Sequence, residues 1–176
     1  MSDFFIHLLR GLAYILPAYI ANSSPVIVGG GKPLDLGKNF IDGRRIFGDN
    51  KTIRGLVGGI FFGTLCGFLL PFIFPPLGIP KLIFLQSIFL AFLLSVGTHI
   101  GDLLGSFIKR RLNLKPGAPA PILDQIGFIV FALLLAYPSY PLIQVSEIVI
   151  VIILTLIVHP LSNVIAYILG LKDKPW

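Results

Sequence analysis

Long apolar runs with few charges dominate this chain and restrict the solvents in which it can fold. A helix needs about 20 mostly apolar residues to cross the hydrocarbon of a bilayer. Five segments qualify or nearly do, at about 4–24, 56–74, 82–107, 122–140 and 145–171. The fourth is the shortest. Pro17 and Pro160 fall inside the first and fifth, which membrane helices tolerate because neighbours satisfy the freed backbone groups. Hydrophobic residues make up 55% of the 176 and charged residues 12%, against about 25% charged in soluble domains. A chain this short has too much surface per volume to hide that excess in an aqueous core. The expected fold is therefore an all-α integral membrane protein, one membrane domain over 1–176 with about five transmembrane helices. Asp3 stands where a secretory leader would carry a basic segment, so the first run is expected to stay as a helix.

The charges assign the sides of the bilayer. Two connections, at 75–81 and around Pro138 and Pro141, are short and nearly uncharged. The segments 25–55 and 108–121 and the C-terminus hold twelve of the fourteen Lys and Arg residues, leaving Arg10 and Lys81. With five crossings, the positive-inside rule puts the N-terminus outside and the C-terminus in the cytoplasm. The loops 25–55 and 108–121 then face the cytoplasm, and the protein is expected in the cell membrane. The net charge of +6 lies beside apolar segments, which favours anionic lipid or phosphorylated substrates over nucleic acid. A single cysteine, Cys66, excludes an intramolecular disulfide or multi-cysteine metal site.

The first basic loop is denser in Gly, Asp, Asn, Lys and Arg than a linker needs. It contains Lys38, Asp42, Asp49, Asn50, Thr52 and Arg54 around a Gly29-Gly30-Gly31 triplet. Glycine lets backbone amides approach a phosphate, and Lys or Arg neutralises it. Gly43 to Gly48 has P-loop spacing, but Asp49-Asn50 follows where Gly-Lys belongs. Asp42-Gly43-Arg44-Arg45 resembles the opening of the CDP-alcohol phosphotransferase motif without its later Asp residues.

The third helix carries Thr98, Asp102 and Ser106 at four-residue spacing, on one face. Gly97, Gly101 and Gly105 form a neighbouring ridge for close helix approach. Asp102 is expected roughly 8 Å inside the cytoplasmic end. A carboxylate in a membrane helix usually faces a polar cavity with a partner, and Lys109 or Arg110 is one candidate partner. Asp124, near the start of the fourth helix, is placed to reach the same depth. Magnesium favours one or two carboxylates plus substrate phosphates and water, so the pair fits a metal-bound nucleoside triphosphate. The fifth helix repeats the four-residue spacing in Thr155, His159, Asn163 and Tyr167. That pattern reads either as a cavity lining or as hydrogen bonding between helices.

The stretch Ser106-Phe107-Ile108-Lys109-Arg110, followed after four intervening residues by Lys115, resembles the first half of the CTP:phosphatidate cytidylyltransferase signature. The second half departs: Pro116 replaces an Asp, the His-Gly-Gly triplet is missing, and Asp124-Gln125-Ile126-Gly127 replaces Asp-Arg-x-Asp. This variant is similar to the archaeal branch of that family, the CDP-archaeol synthases. Gly-Gly-Lys-Pro-Leu-Asp, Asp42-Gly43-Arg44-Arg45, Phe47-Gly48-Asp49 and Lys51-Thr52-Ile53-Arg54-Gly55 in the first loop extend the similarity.

The resemblance implies transfer of CMP from CTP to 2,3-bis-O-geranylgeranylglycerol phosphate, an isoprenoid lipid phosphate, with magnesium as cofactor. Asp102 and Asp124 match the family's metal-binding carboxylates, and Lys109 joins them as a catalytic candidate. Lys38, Asp42, Asp49, Asn50, Thr52, Arg54, Ser106, Arg110 and Lys115 are the substrate-binding candidates. A small membrane transporter and a CTP-dependent lipid kinase are the alternatives. The absence of an inverted repeat weighs against the first, and the signature from Ser106 to Lys115 against the second. The oligomeric state is not readable from the residues.

Overall fold

The computed structural model of the protein describes residues 3–73, 84–139 and 143–175. It contains α1 (Asp3–Val28), α2 (Ile53–Ile73), α3 (Phe84–Arg111), α4 (Pro121–Ala136) and α5 (Val145–Ile168). The expected connection at 75–81 and residue Pro141 lie outside the described residues. The all-α expectation holds, with shifted ends. Helix α1 continues to Val28 through both Pro17 and Pro25. Helix α3 runs to Arg111, so Lys109, Arg110 and Arg111 form its last turn, where cations complement the helix dipole.

Among the described residues, four helices are long and apolar enough to cross a membrane, at Phe4–Val28, Ile53–Ile73, Ser87–Arg111 and Val145–Ile168. Helix α4, with 16 residues, does not reach this length. At 1.5 Å per residue it extends about 24 Å, against a core of about 30 Å. The expected five helices are present as four long ones and a short α4, the segment already expected to be the shortest. One face of α4 packs into the protein: Phe128, Ile129, Ala132, Leu133 and Ala136 are buried in a core with Ile15, Leu90, Leu94 and Val151, while Ile122 and Leu134 on the helix are exposed.

Glycine ridges set the helix spacing. A Cβ on Gly97 would lie 2.5 Å from Phe131 O, and one on Gly101 2.5 Å from Gly127 O and 2.8 Å from Phe128 Cα. The α3 ridge therefore brings α4 to backbone contact, as small residues do in membranes. A second ridge on α2, Gly55, Gly59, Gly63 and Gly67, is buried. Gly59 seats His99 against Ala21 O, and Gly63 seats Ser95 against Pro17 O. The four-residue spacing places these glycines on one face of α2. Gly101→Val is expected to lower the unfolding temperature of the detergent-solubilised protein, because overpacking a tight contact costs about 1–3 kcal/mol. Gly105→Ala should be tolerated, since its Cβ would meet Leu123 at ordinary contact distance, Cγ at 3.5 Å and the carbonyl oxygen at 3.8 Å. Equal stability of both variants would refute this account of the packing.

At the end where α1 and α5 begin, Glu147 is buried. It bonds His7 Nδ1 at 3.0 Å and pairs with Arg10 Nε at 3.5 Å. Its other oxygen accepts the Gln144 amide at 2.9 Å. The cluster ties α1 to α5 and gives Arg10 a structural task. The candidate site residues Asp102 and Asp124 lie toward the opposite end of the helices.

Candidate active site

One carboxylate organises the loop between α1 and α2. Asp35 is buried and accepts the amides of Gly37 at 3.1 Å, Phe47 at 3.0 Å and Gly48 at 2.9 Å. Arg45 adds a two-pronged bond, at 2.6 Å from Nη2 and 3.3 Å from Nε. Gly48 has φ +98°, a left-handed backbone that suits glycine. Burial pushes the Asp35 carboxyl up, but the Arg45 and amide hydrogen bonds outweigh it and hold it well below the usual carboxylate range. Asp35 and Asp49 in turn hold the Arg45 guanidinium above its usual value, with Asp49 Oδ1 at 2.7 Å.

The depressed Asp35 value has a definite sign for stability. Its contribution is complete above the unfolded value of about 3.9 and is lost as pH falls through the lower folded value. Asp35→Asn is therefore expected to unfold at lower temperature than the parent at pH 7, with the gap narrowing at about pH 3. A gap that stays constant from neutral to acid pH would refute this role.

A second join fixes the loop to α3. Arg44 Nη1 donates to the Arg111 carbonyl and, at 3.5 Å, to that of Arg110, partnering carbonyls the helix end leaves free. Arg111 Nη2 donates to the carbonyl oxygens of Arg45 at 2.7 Å and Arg44 at 3.3 Å. Arg111 Nε forms an ion pair with Asp42 Oδ2 at 2.7 Å. Its guanidinium carbon lies 5.1 Å from the Phe40 ring centre and 4.3 Å from that of Phe107.

The loop held by these joins lines, through Asp49, Asn50, Lys51 and Thr52, a cavity of about 630 Å³. Asp102 enters from α3, Asp124 from the first turn of α4, Lys51 from the loop, and His159 and Asn163 from α5. Lys51 Nζ lies 2.7 and 2.6 Å from the two Asp102 oxygens. Lys109 Nζ lies 2.5 Å from Asp124 Oδ1. Asp124 Oδ2 accepts the Ala120 amide at 2.9 Å, which fixes its rotamer at the helix start. Lys172, just beyond α5, also lines the cavity and donates to Asn163 Oδ1 at 2.9 Å. Burial, together with the nearby Lys51 and Lys109, pushes the Lys172 ammonium below its usual value despite Asp124.

Among the described residues, no group of three or more His, Cys, Asp or Glu side chains is placed to hold a metal alone. Magnesium needs fewer protein ligands when substrate phosphates and water complete its shell. Asp102 and Asp124, facing one cavity bordered by Lys51, Lys109 and Lys172, suit a metal that arrives with an anionic substrate.

Of the residues expected from sequence, Asp102, Lys109, Asp124, Asp49, Asn50 and Thr52 line the cavity. Thr52 also accepts the Gly55 amide at 3.0 Å, at the start of α2. Lys38, Arg54 and Lys115 are exposed and do not line it, and Ser106 is buried elsewhere in α3. Arg110 is buried, donates to the Lys115 carbonyl at 3.0 Å and supports Gly48. Asp42 is taken up by Arg111. Sequence reasoning did not select Lys51 or Lys172 as site residues: Lys51 entered as a topology charge and as part of a motif carrying the resemblance, Lys172 as a topology charge. The signal for Lys51 was its place between Asn50 and Thr52, two residues already selected.

Comparison with known proteins shows the family of the chain. The family model described as CarS-like, CDP-archaeol synthase, matches residues 4–176. The chain is 51% identical over 169 residues to a CDP-archaeol synthase of Pyrococcus furiosus, covering 96% of this chain and 98% of that one. It is 51% identical over 178 residues to a CDP-archaeol synthase of Methanocaldococcus jannaschii, covering 98% and 99%. A solved structure of an intramembrane enzyme for archaeal membrane lipids biosynthesis superposes with a TM-score of 0.78 at 34% identity, covering 89% of this chain and 94% of that one. Spanning helices, cavity and sequence agree: the chain is a multi-pass membrane protein of the CDP-archaeol synthase family.

Proposed function

We propose that the protein forms CDP-archaeol from CTP and archaetidic acid, 2,3-bis-O-geranylgeranylglycerol phosphate, releasing pyrophosphate. The observation that carries this reading is the convergence of Asp102, Asp124, Lys51, Lys109 and Lys172 on one cavity at a single end of the helices. No feature of the cavity favours the transporter or lipid kinase readings over the family's reaction.

The reaction asks little of the protein in proton transfer. The acceptor is a phosphate monoester with a second pKa of about 6, so it is largely a dianion at neutral pH. Its oxygen attacks the α-phosphorus of CTP, and the bond to the β-phosphate oxygen breaks as pyrophosphate leaves. The difficulty is holding two anions in line against their repulsion. Lys51 and Lys109 would meet the phosphates, and Asp49, Asn50 and Thr52 would contact the nucleotide from the loop. Lys38, Asp42, Arg54, Ser106, Arg110 and Lys115 would act from outside the cavity, through the walls they build or by steering anions. Asp102 and Asp124 would hold magnesium, which supplies charge neutralisation on the triphosphate when bound.

The basic loops favour an orientation with the cavity toward the cytoplasm, the N-terminus outside and the C-terminus inside, in the cell membrane. The acceptor carries two long chains and must reach the cavity sideways from the bilayer. Val26 and Leu171 offer an apolar rim for that passage.

The direct test uses protein in detergent with magnesium, CTP labelled at the α-phosphate and geranylgeranylated glycerol phosphate. Label in the lipid phase is the expected result. Absence of lipid label at any metal or acceptor concentration would refute the reaction.

A further inference from the structure

The loop between α1 and α2 reverses midway at a turn, Phe40-Ile41-Asp42-Gly43, whose chemistry the active site leaves unexplained. Gly43 N donates to Phe40 O at 3.0 Å, Phe40 N to Arg44 O at 2.7 Å, and Arg44 N to Asp42 Oδ1 at 3.1 Å. Gly43 adopts φ +75°. The turn is thus well fixed, and turn tips favour Gly, Pro, Asn, Asp and Ser. Here the tip is Ile41, 94% exposed, beside Phe40 at 40%.

The position of the turn identifies what covers those side chains. The Phe40 ring meets Phe107 edge-on at 5.1 Å. Phe107 lies four residues, about 6 Å along the axis, inside the end of the apolar span Ser87–Arg111. The exposed apolar stripe of α3, Ile100, Leu104 and Ile108, continues to Leu112, next to the Arg111 that grips the turn. The turn therefore prolongs a lipid-facing surface at the height where the hydrocarbon ends. Its acidic residue, Asp42, is paired with Arg111, so no unpaired carboxylate opposes contact with lipid. Lys38, exposed on the same hairpin, supplies a cation for lipid phosphates.

We propose that this turn is an interfacial anchor, with Ile41 and Phe40 inserted among the headgroups and upper acyl chains of the bilayer and Lys38 at the lipid phosphates. It would seat the lobe carrying Asp49, Asn50 and Lys51 against the membrane. The cavity would then stay at the depth of a lipid phosphate. The insertion stands on the geometry of the turn and α3, and its test reads no catalysis.

The test places a fluorophore at the tip. Ile41→Trp is made in a Trp176→Phe background, leaving a single tryptophan, and the full chain is reconstituted in phosphatidylglycerol-containing vesicles. The expected result is blue-shifted emission, quenched by lipids brominated high on the acyl chain and protected from iodide. Emission insensitive to bromolipid but quenched by iodide would put the tip in water and overturn the proposal. Protection from both quenchers would bury the tip in protein, a second copy of the chain included, and overturn it equally. Ile41→Glu in the same vesicles gives an independent reading. Loss of bromolipid quenching from a tryptophan at Leu112, with unfolding temperature unchanged, is expected if the turn and the end of α3 share one lipid contact. Unchanged quenching there would contradict the shared contact.

Discussion

Asp102→Asn is expected to keep the protein folded and to lower kcat/KM for CTP by about a thousandfold or more, equivalent to about 4 kcal/mol of transition-state stabilisation. The substitution is nearly isosteric and keeps a group able to accept from Lys51, so α3 should pack as before. What disappears is the negative charge that both Lys51 and a divalent cation require. Asparagine offers only a weak carbonyl ligand to magnesium, a hard cation that favours charged oxygen. The defect should therefore appear partly as a raised magnesium requirement, read by titrating the metal at saturating CTP. Asp124→Asn is expected to lose activity on the same scale. Its stability should hold, because an amide oxygen can still accept the Ala120 amide that now bonds Asp124 at 2.9 Å. Activity within tenfold of the parent in both variants, without a changed magnesium requirement, would remove these two residues from the metal role.

Much of this arrangement was legible in the residues, for identifiable reasons. Spanning helices announce themselves because lipid demands about 20 apolar residues in succession. Asp102 stood out because an isolated carboxylate in such a run needs a partner. The α3 glycine ridge was readable from its four-residue spacing, and its contact with α4 follows the same geometry. The length of α4 was less legible. Its apolar run continues past Ala136, yet the helix stops there, ahead of Pro138. The loop was hardest to read. Its polar residues look alike as phosphate ligands, while the folded loop spends Asp35, Arg44, Arg45 and Asp42 on holding itself together and to Arg111. Composition cannot distinguish a charge that meets substrate from one that neutralises a neighbour. Only the backbone path, set by glycines with positive φ and the buried Asp35, separates Lys51 at the cavity from Lys38 outside it.

Lys51 yields the second large effect, and its conservative variant carries the argument. Lys51→Met is expected to lower kcat/KM for CTP by about a hundred- to a thousandfold, the usual scale for losing one group that stabilises charge in the transition state. The methionine retains an apolar stem of similar length, so simple loss of packing is controlled. Two consequences should pull apart. Removing the ammonium frees Asp102 from a bond of 2.6 Å, so magnesium affinity should rise or stay level. At the same time CTP turnover should fall, because a cation facing the phosphates is gone. A purely structural ion pair would instead lose metal affinity, stability and turnover together. Lys51→Arg should restore only part of the rate, since a planar guanidinium presents its donors in a fixed fork rather than as a compact point charge. Full rescue by arginine would show that charge alone is required. Failure of Lys51→Met to change turnover would confine Lys51 to orienting Asp102.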